Sequence, residues 1–278
     1  FKIQIPRFKP SLPRFPSSGL GTALTLRWPL TFEPYPLPPL MARPPSAAAC
    51  RGLFITGIDT GVGKTYVASL IAQTLRAAGR RVGVYKPVAS GCRREGGAIV
   101  SDDATALWEA AGRPGTLDDV CPQRFLAPLA PHLAARAEGR QIDTARLRQG
   151  IDVWRARSDL VLVEGAGGLM SPIGDEYVAD LAADFGYPLL IVAANRLGAI
   201  NHTLQTLIAA ASFRGGLEVA GIVINQPDRW ASDRSLSTNR EEVATRAAAP
   251  VLAEVDWRQP AFREQVDWYA LAAGTERR

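Results

Sequence analysis

The stretch GIDTGVGKT, residues 57–65, limits what this chain can fold into more than any other feature. It follows the apolar run LFIT (53–56) and precedes a segment of helical period. In that strand, loop, helix order, backbone N–H groups at the helix start bind phosphate. Gly57, Gly61 and Gly63 let the backbone approach an anion closely, Lys64 would reach the β- and γ-phosphates, and the Thr65 hydroxyl would ligate Mg²⁺. A plain glycine-rich turn is the blander alternative, and the Gly-Lys-Thr set in this order argues against it. The usual pattern has four residues between its glycines, whereas five separate Gly57 from Gly63 here.

A phosphate loop needs a sheet behind it. The runs RVGVYK (81–86), DLVLVE (159–164), PLLIVAA (188–194) and VAGIVIN (219–225) join LFIT as expected buried strands. Helical periodicity falls between them, over roughly 64–79, 102–112, 143–157, 177–185, 199–213 and 240–248. The alternation predicts an α/β domain of three layers: a mostly parallel sheet with helices on both faces, a P-loop NTPase-like fold. With no internal repeat or linker after residue 50, residues 51–278 read as one domain. No stretch offers 18 or more uninterrupted apolar residues, so no membrane-spanning helix is expected.

The net charge of +5 suggests a nucleic-acid partner until its location is considered. Six basic residues stand against the single acid Glu33 within residues 1–50, which leaves residues 51–278 formally neutral. The same segment holds eleven of the 21 prolines, and proline at that density removes backbone donors and blocks helix. Residues 1–50 are therefore expected to form a disordered, basic extension. The first Met is Met41, which favours reading residues 1–40 as upstream sequence; an organelle transit peptide or a true disordered arm are the alternatives. Cys50, Cys92 and Cys121 are too scattered for a disulfide framework or a zinc site and fit a reducing, cytoplasmic setting.

Further residues carry chemistry by their position. Lys86 ends an expected strand, at the edge of a parallel sheet where ligands bind, although a solvated cap is the common role of a strand-end lysine. Glu164 ends the buried run LVLVE just before glycines; an unpaired buried carboxylate is costly, which favours Mg²⁺ ligation. Asp102 and Asp103 open the segment DDATAL as helix caps or metal ligands. The segment LGAIN (197–201) begins a helix whose N–H groups suit a carboxylate, with an ordinary capped helix as the alternative. Asn225 ends an expected strand where its amide can read an adenine edge. His132 and His202 are too isolated for a metal cluster or a triad and default to structural roles.

The five-residue gap resembles the P-loop of the dethiobiotin synthetases, ATP-dependent enzymes that close the ureido ring in biotin biosynthesis. YKPVASG (85–91), SDDATAL (101–107), APHLAARAEGR (130–140), LVEGAGGLMSP (162–172), RLGAINHTLQT (196–206) and AGIVIN (220–225) are similar to that family's segments, in the same order and at similar spacing. The resemblance covers about residues 52–255. It implies that ATP lies on Gly57, Asp59, Thr60, Gly61, Val62, Gly63, Lys64 and Thr65, with adenine at Asn225. It further implies Mg²⁺ on Thr65, Asp103 and Glu164, leaving Asp102 as the cap, and catalysis by Lys86, Thr60 and Lys64. Lys86 and Ser90 would contact the substrate, 7,8-diaminopelargonate, while Gly198, Ala199 and Asn201 of a second subunit would hold its carboxylate, implying a homodimer. CO₂ is the remaining substrate, and neither nucleic acid nor membrane is a partner. Two departures stand out: Gly61 replaces a common acidic residue, and Asp256 a usual proline, which leaves the adenine-side contacts there open. The rival functions on such a fold are a MinD/ParA-type switch ATPase, which carries a signature lysine where this chain has Asp59, and the ATP-binding domain of a cobyrinate amidotransferase.

Overall fold

The computed structural model of the chain describes residues 50–229 and 232–273. Apart from Cys50, the Pro-rich extension expected over residues 1–50 lies outside them. Six strands form one sheet: β1 (Arg51–Gly57), β2 (Val82–Tyr85), β3 (Leu160–Gly168), β4 (Leu189–Ala194), β5 (Val219–Asn225) and β6 (Val251–Val255). Their spatial order is β6-β5-β4-β1-β3-β2, and every pairing is parallel. All of β4 and all but the first residue of β1 are buried, because a parallel sheet is covered on both faces and its strands must be apolar throughout.

The covering helices include α1 (Lys64–Ala77), α2 (Asp102–Ala110), α3 (Thr144–Gln149), α4 (Asp152–Arg157), α5 (Val178–Phe185), α6 (Ala199–Ser212) and α7 (Asn239–Arg246). The chain moves one way across the sheet from β1 to β2 and the other way from β3 through β6. Right-handed crossovers then put α1 on one face and α5, α6 and α7 on the other. Contacts agree: α2 and the short helix Trp268–Leu271 pack on α1, α3 on α5, and α7 on α6. The reversal of strand order beside β1 opens a crevice at the carboxyl ends of β1 and β3, the position at which sheets of this type hold ligands.

Two expectations need correction. The helix expected over 143–157 is two helices, α3 and α4. The Tyr85 hydroxyl donates to the Leu147 carbonyl at 2.7 Å, taking the acceptor that a continuous helix would offer to the Ile151 N–H. Gly150 sits over the same hydroxyl, which a Cβ there would approach to 2.3 Å. Strand β6 was not among the five expected; it is a sheet edge, and Glu254 interrupts its apolar run.

Cys92 and Cys121 are buried and Cys50 half-buried, all as free thiols. Among the described residues, no helix is long and apolar enough to cross a membrane. Trp154 on α4 is fully buried, and its indole N–H donates to the Asp119 carbonyl at 3.1 Å. Trp154→Ala is expected to lower the unfolding free energy by about 3–5 kcal/mol, as measured by urea denaturation.

Candidate active site

The loop after β1 turns sharply into α1 at Gly63, whose φ of 89° is left-handed. No side chain caps this helix, so its first N–H groups and the positive end of its dipole face the loop. A Cβ on Gly63 would lie 2.0 Å from Asn225 Nδ2, because the loop packs directly on the end of β5. Asn225 Nδ2 donates to the Val62 carbonyl at 2.9 Å, and the Val62 side chain is fully buried. The Asp59 carboxylate accepts from the Thr60 N–H at 2.7 Å and lies 3.9 Å from the Arg196 guanidinium. Lys64 reaches back across the loop to donate to the Asp59 carbonyl at 3.1 Å. Burial pushes its pKa below the ordinary lysine value, so its ammonium sits where an incoming anion meets little competing solvent.

Beside the loop lies a buried charge cluster. The Lys86 ammonium contacts Glu164 Oε1 at 2.7 Å and Asp103 Oδ2 at 3.1 Å, and the Thr65 hydroxyl donates to the same Glu164 oxygen at 2.8 Å. Lys86 is 3% exposed and Glu164 1%, whereas half of the Asp103 side chain reaches solvent. Burial alone would lower the Lys86 pKa, but the Glu164 and Asp103 carboxylates more than offset this and raise it, keeping the group an ammonium. For Asp103, burial acts upward, and the Lys86 charge overcomes it to hold the carboxyl below the ordinary 3.8. The Asp103 pairing is therefore intact above that value and is lost as pH falls through the still lower folded pKa. Lys86 is thus not a solvated cap. Glu164 is placed here by its regular pairing with Ile55 on β1; β3 is irregular only after it, where Gly57 pairs with Gly168.

Thr60, Gly61, Gly63, Lys64, Thr65, Lys86, Ser90, Asp103, Glu164 and Asn225 all line one cavity of about 740 Å³. Gly57, Asp59 and Val62 shape the loop from behind it. Gly198, Ala199 and Asn201 do not line this cavity; they start α6, another helix with no side-chain cap. Asp102 is not the cap of α2: the Ser101 hydroxyl accepts from the Ala104 N–H at 3.2 Å, and Asp102, already helical, pairs outward with Arg93 at 2.7 Å. His132 and His202 lie outside the cavity on separate helices.

A family model described as an AAA domain matches residues 51–265. Several curated relatives carry the name ATP-dependent dethiobiotin synthetase BioD. The protein of Rhodopirellula baltica is 46% identical over 219 residues, covering 74% of this chain and 84% of the relative. That of Anaeromyxobacter dehalogenans is 45% identical over 208 residues, covering 74% and 90%. That of Bacillus subtilis is 37% identical over 206 residues, covering 73% and 85%.

The chain belongs to the dethiobiotin synthetase family. Family motifs in the sequence did not lead to several residues that the fold brings to this cavity: Tyr66, Gln226, Pro227, Asp228, Trp257 and Arg258. They line the cavity together with Asn225. The Arg229 and Arg258 guanidinium groups stack on the Trp257 ring at 4.9 and 4.6 Å, and the Tyr66 hydroxyl donates to the Gln259 carbonyl. In the sequence, only Asp256 beside Trp257 drew attention to this wall.

Among the described residues no three His, Cys, Asp or Glu side chains form a cage for a metal ion. Mg²⁺ needs less when it binds with a nucleotide, since phosphates and waters supply the remaining oxygens. Glu164 Oε2 is buried without a partner, and the Thr65 hydroxyl adjoins both this carboxyl group and the Asp103 carboxylate, so the donor set suits that ion. Replacing Glu164 by Leu is expected to destabilise the protein by about 3–5 kcal/mol, because the buried Lys86 loses its nearest counterion. The double change Lys86→Met with Glu164→Leu should recover part of that loss in the same denaturation measurement.

Proposed function

We propose that the protein catalyses ring closure of 7,8-diaminopelargonate with CO₂ and ATP to give dethiobiotin, ADP and phosphate. One substrate amine takes up CO₂ as a carbamate, releasing a proton. A carbamate oxygen attacks the γ-phosphorus and expels ADP, forming a carbamic-phosphoric anhydride. The second amine then attacks the anhydride carbonyl and expels phosphate, closing the ring. No side-chain nucleophile is required, and the protein's work is positioning and charge neutralisation.

The observation that carries this reading is the placement of two buried ammonium groups, Lys64 on the phosphate loop and Lys86 on the neighbouring strand end, around one cavity. Lys64 and the first N–H groups of α1 hold the phosphates, with Thr60 orienting the γ-phosphate. Lys86, anchored by Glu164, faces the carbamate and the phosphoryl group in transfer, where its fixed charge requires little reorganisation. Ser90 lines the same cavity and hydrogen-bonds the substrate. Thr65, Asp103 and Glu164 would hold Mg²⁺, which when bound neutralises charge on the β- and γ-phosphates.

The carboxylate of the substrate is assigned to the uncapped start of α6 in a second copy of the chain, through Gly198, Ala199 and Asn201. Apolar exposure on and just before this helix supports a homodimer: Leu197 is 82% exposed and Ile208 66%. The three free thiols support a cytoplasmic location.

The reading is tested by incubating the purified protein with ATP, Mg²⁺ and bicarbonate, with and without 7,8-diaminopelargonate, and following ADP and product mass. ADP formed only with the diamine, one per dethiobiotin, is expected; diamine-independent hydrolysis without dethiobiotin would overturn it. Lys86→Ala is expected to lower kcat by at least about 100-fold while ATP still binds, as read by calorimetric titration.

A further inference from the structure

Two of the three residues assigned to the metal ion already hold a cation of the protein's own. The Lys86 ammonium contacts Glu164 Oε1 at 2.7 Å and Asp103 Oδ2 at 3.1 Å, and the third residue, Thr65, donates to that same Glu164 oxygen at 2.8 Å. We infer that Lys86 makes metal binding conditional on the nucleotide: its ammonium satisfies the charge of both carboxylates, so that the protein takes up a divalent cation only together with a triphosphate. This rests on the nucleotide and metal assignments proposed above and gives Lys86 a task besides facing the carbamate.

Charge balance sets this condition. Lys64, Lys86, Asp103 and Glu164 line the same cavity, and Lys64 lies within electrostatic reach of the other three. Two ammonium groups against two carboxylates leave the cluster formally neutral. A divalent cation arriving alone therefore meets no net counter-charge, and it meets an ammonium on the oxygens it needs. Mg²⁺ sheds its waters reluctantly, and a neutral cluster offers little in return. A triphosphate reverses the balance, because it brings several negative charges and further oxygen ligands for the ion.

Lys86 cannot step aside to admit the ion alone. It is 3% exposed, and an ammonium that left both carboxylates would be a buried charge without a partner. The two carboxylates differ in how easily they can be given up. Glu164 is buried on β3 and keeps its Oε1 on Lys86, while its Oε2 has no partner. Asp103 lies in the first turn of α2 with half its side chain in solvent. Asp103 and Glu164 Oε2 are therefore the oxygens that can serve an ion while Lys86 stays paired. An ammonium that gives up Asp103 regains a donor, which an anionic ligand in the cavity can accept.

The test is titration of the purified protein with Mn²⁺, a paramagnetic substitute for Mg²⁺, without nucleotide, following loss of the free-ion electron paramagnetic resonance signal. Lys86→Gln and Lys86→Met, which remove the ammonium and leave both carboxylates, should each bind the ion at least about tenfold tighter than the natural sequence. Adding Asp103→Asn should abolish most of that gain. Adding Asp102→Asn, the same charge change on a neighbour that pairs outward with Arg93, should preserve it. Where a Lys86 variant is poorly folded, Mn²⁺ should raise its melting temperature and leave that of the natural sequence unchanged, since an ion that binds the folded form stabilises it. Tight Mn²⁺ binding by the natural sequence alone, Lys86 variants that bind no tighter, or a gain that survives Asp103→Asn would overturn the inference. Failure of the proposed reaction would show differently, as the expected Mn²⁺ titrations with no diamine-dependent dethiobiotin.

Discussion

A parallel sheet buried on both faces leaves its carboxyl edge as the place where this chain can assemble polar groups. Helices cover the two surfaces, and the strand interiors are apolar residues that make no chemistry. Loops at the carboxyl edge can carry charge without burying it in the core. The strand order reverses beside β1, so the loops after β1 and β3 part and leave a crevice between them. The phosphate loop, Lys86 and Glu164 come from the ends of three neighbouring strands of this sheet, which is why residues far apart in the chain share one site.

Within that crevice the ammonium of Lys86 organises the polar groups. Two carboxylates and a buried lysine would each be expensive alone, and together they satisfy much of one another's charge. The cluster leaves Glu164 Oε2 and the exposed half of Asp103 free for a ligand. Asn225 plays the corresponding structural part on the other flank, where its amide ties the phosphate loop to β5. Loop geometry therefore depends on this side chain, and a larger residue at Gly63 would collide with it.

Much of this arrangement was legible in the sequence. Five of the six sheet strands and the helix after the phosphate loop follow from apolar runs and periodicity, because burial on two faces demands continuous apolar segments. Strand β6 escaped notice because an edge strand tolerates Glu254 near its end. The break between α3 and α4 also escaped, since it comes from Tyr85, a residue with no local mark of reaching Leu147. Ser101 rather than Asp102 caps α2 because the extended backbone of Ser101 aims its hydroxyl at the first helical turn, a detail of backbone angle that composition does not carry.

By itself the sequence determined those features that are local. The nine residues from Gly57 to Thr65 specify a phosphate loop through glycine freedom and a helix start, and the ordered motifs specify the family. Only the tertiary structure decided how distant groups meet. Thr65 and Glu164 are 99 residues apart, Lys86 and Glu164 are 78 apart, and Asn225 and Val62 are 163 apart, yet each pair is within hydrogen-bond reach. The same holds for Asp228 and Trp257, which line the cavity and carry no motif. Hydrogen bonds and ion pairs act over about 3 Å, whereas sequence spacing reports position along the chain; only the crossing of strands converts one into the other.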